Sequence, residues 1–216
     1  MRVVYIDFND EYKFDLAVTE AVKFLKAGKV IVYPTDTVYG LGCDALNEEA
    51  VEKILKIKKR DSGKPFSVII KDITAVKKIA FVDRQKEDIM GRLLPGPYTL
   101  ILPGVKNVPK MVTASANSIG IRIPEHPLTK KISEKFENPI ITTSVNIAKE
   151  APMNDPFKIV ERFKEQEEQP DLVLDCGKIE NNQPSVVIDI TRKSPQILRS
   201  GARSLREIKE LLEKLK

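Results

Sequence analysis

The chain has 216 residues, 42% apolar and 31% charged, with a net charge of +5 and a pI near 9.0. This is the composition of a folded protein long enough for a substantial core, and it excludes a disordered chain. No run of eighteen apolar residues exists to span a membrane, and the charges scattered over residues 1–15 exclude a secretory signal. The surplus of positive charge allows an anionic partner, nucleotide or RNA, without requiring one. Cys43 and Cys176 are isolated, which predicts free thiols in a reducing cytoplasm and no structural zinc site. Cys43 reads as a small packed hydrophobe.

Residues 2–6 read as a first strand. Phe14, Val18, Ala21, Val22 and Leu25 then keep helical spacing over 12–26, with Gly28 as the stop. The β-branched run 30–33 predicts a buried strand, which Pro34 ends by removing a backbone donor. Residues 34–42, PTDTVYGLG, hold three hydroxyls, a carboxylate and two glycines with almost no core filler. One such turn is ordinary capping; nine residues of this kind beyond a strand predict a site, since ligands of open α/β sheets sit past the strand ends.

Asn47 is placed to cap a helix whose inward stripe is Val51, Ile54 and Leu55. Lys58 falls on that stripe, so it must snorkel outward or meet an anion. The bland alternative for Lys58-Lys59-Arg60 is cations at a helix C-terminus. Residues 66–70 predict a strand, 74–93 one or two helices ended by Pro95-Gly96-Pro97, and 98–102, 119–123 and 140–143 further strands. A helix is expected over 128–136 and another over 156–168. Strands follow at 171–174, 185–190 and 196–198, then a helix opened by a Ser204/Glu207 capping box with the stripe Leu205, Ile208, Leu211, Leu212, Leu215. Mixed strands and helices predict one α/β domain over 1–216, with a large twisted mixed sheet flanked by helices.

Ile140-Ile-Thr-Thr-Ser-Val-Asn146 repeats the logic of the first loop, an apolar strand running into Thr142, Thr143, Ser144 and Asn146. Two polar strand ends of this kind suggest one crevice between them. Arg122 sits inside the apolar strand Ile119–Ile123, and a buried arginine needs an anion from protein or ligand. His126, the only histidine, reads as structural. No GxxxxGK(S/T) loop, GxGxxG fingerprint, GxSxG elbow or HExxH helix occurs. The residues alone reach a hydroxyl-lined, cationic crevice for a small polar, phosphorylated ligand, and stop short of a reaction.

The set PTDTVYGLG (34–42), Lys58-x-Arg60, PGPYT (95–99), GIRIPEHP (120–127), Ser144-x-Asn146, PSVVID (184–189) and LRSG (198–201) resembles the YrdC/Sua5 family in its single-domain form. The resemblance implies an α/β twist fold with a positive concave face. It also implies a nucleotidyltransferase that makes threonylcarbamoyl-AMP from L-threonine, bicarbonate and ATP with release of pyrophosphate. That is the first step of threonylcarbamoyl modification of adenosine 37 in tRNAs reading codons that begin with A. By the same resemblance Lys58, Arg60, Ser118, Ser144, Asn146 and Arg199 meet ATP, and Thr35, Thr37, Tyr39, Arg122 and Thr142 hold L-threonine. Lys58 and Arg60 would act electrostatically, without a nucleophile or an acid–base residue. Mg²⁺ is implied with ATP, with no protein metal site, and so are a downstream tRNA transfer machinery and contact with tRNA or double-stranded RNA. Two positions depart from the pattern: Asp61, where many relatives have proline, and Ile69, where many have histidine. The competing readings are an RNA-binding module using the basic face and a carbamoyl-adenylate site like that of hydrogenase-maturation carbamoyltransferases.

Overall fold

The computed structural model describes residues 1–180, 183–201 and 203–213. Its strands are β1 (Arg2–Tyr5), β2 (Ile31–Tyr33), β3 (Gly40–Gly42), β4 (Ser67–Ile69), β5 (Tyr98–Pro103), β6 (Ser118–Arg122), β7 (Ile140–Ser144), β8 (Leu172–Asp175), β9 (Val186–Asp189) and β10 (Gln196–Arg199). The helices are α1 (Glu11–Lys26), α2 (Glu48–Lys58), α3 (Ile73–Val76), α4 (Arg84–Leu93), α5 (Lys110–Thr113), α6 (Pro127–Phe136), α7 (Pro156–Phe163) and α8 (Leu205–Glu213).

The strands form one mixed sheet in the order β1-β8-β2-β3-β7-β4-β6-β5-β9-β10. This is the single α/β domain with a large mixed sheet that the alternation of elements predicts. Helix ends follow the sequence signals. Asp10 and Asn47 accept the Lys13 and Ala50 amides at the starts of α1 and α2. Gly28, at φ 68°, closes α1 as Lys29 N–H reaches Phe24 O and Gly28 N–H reaches Leu25 O. Ser204 and Glu207 form the expected capping box. Leu215 lies outside the described residues, and the helix after Asp155 stops at Phe163, short of 168.

β3 is a strand that sequence propensity does not offer, because Gly40-Leu41-Gly42 has almost no side chains to pack. Its glycines are required by close approach. A Cβ on Gly42 would stand 2.3 Å from the Ile141 carbonyl and 2.8 Å from the Tyr33 ring. The single turn α5 is likewise unmarked in the sequence.

One face of the sheet carries Val32, Leu41, Val68, Ile121, Ile141 and Val173 into a core under α2, α4, α5 and α7. The opposite face is covered over only half its width. There Ile31, Tyr33, Ile69, Ile140, Leu172 and Leu174 pack with residues of α1 and α6. Ile69 therefore belongs to this second core. The rest of that face is open, and the candidate site lies there.

Candidate functional site

The open face is read directly from strand alternation and register. Thr142, Ser67 and Gly120 stand side by side across β7, β4 and β6, with Ile101 of β5 opposite Gly120. Gly40 pairs with Ser144 at one side, and Thr99, Val187 and Arg199 continue the row through β5, β9 and β10. Their strand neighbours Ile141, Val68, Ile119, Ile121, Leu100 and Val186 all point into the first core. Small and hydroxylated residues on the other face leave a cavity of about 440 Å³. Gly120 sets its floor: a Cβ there would lie 2.4 Å from Ser67 Oγ and 3.1 Å from Thr99 Cγ2.

Among the described residues three arginines, Arg60, Arg122 and Arg199, line this cavity, and no carboxylate does. Arg122 is buried, as Ile121 and Ile123 on either side of it enter the core. Its Nη2 donates to Asp36 Oδ1 (2.7 Å) and Thr37 Oγ1 (3.1 Å). The anion that a buried arginine demands is thus supplied by the 34–42 loop itself. Burial pushes the Asp36 carboxyl up, against the opposing pull of Arg122. The Nε–H of Arg122 is buried and unpartnered, and so is that of Arg60. Arg60 lies over the Phe66 ring at 4.4 Å and gives Nη2 to the Lys64 and Pro65 carbonyls (3.2 and 3.0 Å). Arg199 donates Nε to Ser185 O (2.9 Å) and Nη2 to Ser185 Oγ (3.0 Å), which also meets Thr99 Oγ1. Burial, and for Arg199 the neighbouring Arg122 charge, lowers the basicity of Arg60 and Arg199. Crowded, partly desolvated guanidiniums of this kind favour a multiply charged anion.

The residues expected at the site divide into two groups. Thr37, Arg60, Arg122, Thr142, Ser144 and Arg199 reach the cavity wall; Thr35, Tyr39, Lys58, Ser118 and Asn146 do not. Thr35 lies inside its own loop, giving Oγ1 to Val38 O (2.6 Å) and accepting the Thr37 and Val38 amides. Tyr39 follows Val38 and so points the other way, with its hydroxyl donated to Gly177 O (2.7 Å). Ser118 is buried at the far end of β6. Lys58 neither snorkels nor meets an anion. It is 3% exposed, and its ammonium donates to Ser144 O (2.5 Å), Asn146 O (2.9 Å) and Asn146 Oδ1 (3.0 Å).

The physical reason for the split within Lys58-x-Arg60 is Lys59, whose left-handed φ of 47° ends α2. The reversal leaves Lys58 inside and swings Arg60 to the wall. Ser185, Thr99, Ser67 and Gly120 are wall residues that the sequence reading does not single out, although three of the quoted segments contain Thr99, Gly120 and Ser185. The signal that finds them is a small or polar residue breaking period-2 apolar alternation. His126 packs edge-on to Phe8 (5.8 Å between centroids), and burial lowers its pKa to about 4. Cys43 is fully buried in the core. Among the described residues no group of three or more His, Cys, Asp or Glu is placed to hold a metal ion, and no helix is long and apolar enough to cross a membrane.

Residues 23–201 match the model of the Sua5–YciO–YrdC family, whose description is "Telomere recombination". The chain is 32% identical over 186 residues to a threonylcarbamoyl-AMP synthase of Vibrio vulnificus, covering 84% of this chain and 97% of that protein. It superimposes with a TM-score of 0.85 on Pyrococcus abyssi Sua5 complexed with L-threonine, at 31% identity over 98% of this chain, and spans 60% of that longer chain. Escherichia coli YciO, described as uncharacterized, is 33% identical over 186 residues. Its crystal structure superimposes with a TM-score of 0.82, covering 95% of this chain and 97% of that one.

Proposed function

The chain belongs to the Sua5–YciO–YrdC family, and we propose that it is a threonylcarbamoyl-AMP synthase joining L-threonine, bicarbonate and ATP. One observation carries the reading: three guanidiniums face a hydroxyl-lined cavity without a lining carboxylate among the described residues, and two of them hold buried, unpartnered Nε–H donors. Such a wall suits a triphosphate and an amino-acid carboxylate together. A cavity of about 440 Å³ fits small ligands, which favours the enzyme over an RNA-binding module.

In this reading the threonine amine and bicarbonate combine, with loss of water, to N-carboxythreonine. Its carboxylate oxygen attacks the α-phosphorus of ATP, the bond from that phosphorus to the α,β-bridging oxygen breaks, and pyrophosphate leaves. Two anions must approach each other, so the rate rests on cations that hold phosphate oxygens and on positioning. In this reading Arg60 and Arg199 would hold the nucleotide phosphates. Arg122, with Thr37 beside it and Thr142 on the floor, would hold the threonine carboxylate and hydroxyl. Mg²⁺ would come with ATP and screen its phosphate charge; among the described residues the wall offers hydroxyls and no carboxylate to hold it. The product would pass to a tRNA transfer machinery in the cytoplasm.

The test is incubation with ATP, L-threonine, ¹⁴C-bicarbonate and Mg²⁺. Labelled threonylcarbamoyl-AMP and pyrophosphate should form in equal amounts. Nucleotide binding without labelled product would remove the synthase assignment and leave an activity not named by the YciO relatives.

A further inference from the structure

We propose that Lys58 is a positioning residue, holding the segment after β7 against the cavity without touching the ligand; the inference rests on the anion-site reading above. All three hydrogens of its ammonium are placed, on Ser144 O, Asn146 O and Asn146 Oδ1. Among the described residues no carboxylate forms an ion pair with it, so the carbonyl oxygens alone compensate a buried charge. Its own carbonyl accepts the Ala148 amide (2.8 Å).

The grip continues outward from Asn146. Its Oδ1 also accepts Ser144 Oγ–H (2.6 Å), and its Nδ2 donates to Ile147 O (2.9 Å) and Glu150 O (2.8 Å). Met153 N–H closes the segment on Val145 O (3.0 Å), and Val145 N–H bonds Tyr39 O (3.3 Å). Ser144 and Pro152, at either end of this segment, both line the cavity. Lys58 is therefore the hub of the stretch 144–152, whose two ends shape the wall. For Lys58 to reach a phosphate it would have to abandon one of three buried acceptors. Burial, then the Arg60 charge, lowers its pKa to about 7; the three acceptors act in the opposite sense.

Lys58→Met keeps the stem and deletes the ammonium. Hydrogen exchange at the Val145, Ala148 and Met153 amides should accelerate at least tenfold in this variant, with β2 and β8 unchanged. ATP should bind at least tenfold more weakly, while L-threonine affinity stays within threefold. Asn146→Ala should reproduce the ATP loss, and the double variant should be no more than threefold worse than the weaker single one. Losses that multiply in the double variant, or a protected segment beside lost ATP binding, would show direct contact and overturn the proposal. Lys58→Gln, which retains two donors, carries the same readouts if the methionine variant does not fold. If the wild type itself does not bind ATP while Lys58→Met still loosens 145–153, the anion-site reading fails and the positioning role stands.

Discussion

Arg122→Lys keeps a positive charge on β6 and removes the planar fork. In the native protein Nη2 serves Asp36 at 2.7 Å and Thr37 at 3.1 Å, which leaves Nε–H free for a ligand. A lysine ammonium is a point donor and must serve the same buried Asp36 first. The threonine carboxylate then loses one to two charge-assisted bonds, each worth about 1.5–3 kcal/mol. A net loss of about 2–4 kcal/mol corresponds to L-threonine binding roughly 30- to 700-fold more weakly. Arg60 and Arg199 remain, so ATP affinity should stay within about threefold, and the retained Asp36 pair should keep the melting temperature close to wild type. Calorimetric titration of each ligand into the variant reads both effects. Unchanged threonine affinity, or an equal loss for ATP, would refute the assignment of Arg122 as the carboxylate clamp.

Asp36→Asn removes the partner of a guanidinium whose side chain is 7% exposed. Breaking a buried pair costs about 3–5 kcal/mol, so denaturant unfolding should show a loss of that order; a neutral outcome would mean Arg122 relaxes to solvent. Gly120→Ala puts a methyl 2.4 Å from Ser67 Oγ on the cavity floor. It should cost about 1–3 kcal/mol of stability through overpacking and weaken ATP at least tenfold; full ATP affinity would show the ligand lies elsewhere. His126 folds with its pKa lowered to about 4, while the unfolded chain takes up the proton near 6.5. Its contribution is present above 6.5 and is lost as pH falls toward 4, up to about 3 kcal/mol. His126→Gln should flatten the wild-type stability loss across that window, and an identical pH profile in both proteins would exclude His126 as its source.

The sequence by itself determined most of the elements, β3 and α5 apart, and much of their chemistry. Helix caps at Asp10, Asn47 and Ser204, period-2 strands and the polar strand ends at 34–42 and 140–146 are local signals, because caps and alternation are set by residues a few positions apart. Alternation also fixed the direction of Arg122, since Ile121 and Ile123 had to be buried. Only the tertiary structure decided which polar side chains reach the cavity. Thr35, Tyr39, Lys58 and Asn146 look as polar in the sequence as Thr37, Arg60 and Ser144, yet their donors and acceptors are consumed within the fold. Tyr39 finds its acceptor 138 residues away at Gly177, and Lys58 finds Asn146 88 residues away. A partner so distant along the chain exists only once the sheet has brought β7 against α2 and β8 beside β2. The half-covered face that makes the cavity has the same origin, because α1 and α6 stop at Ile69 and Ile140 and leave the hydroxyls of the strands beyond them open.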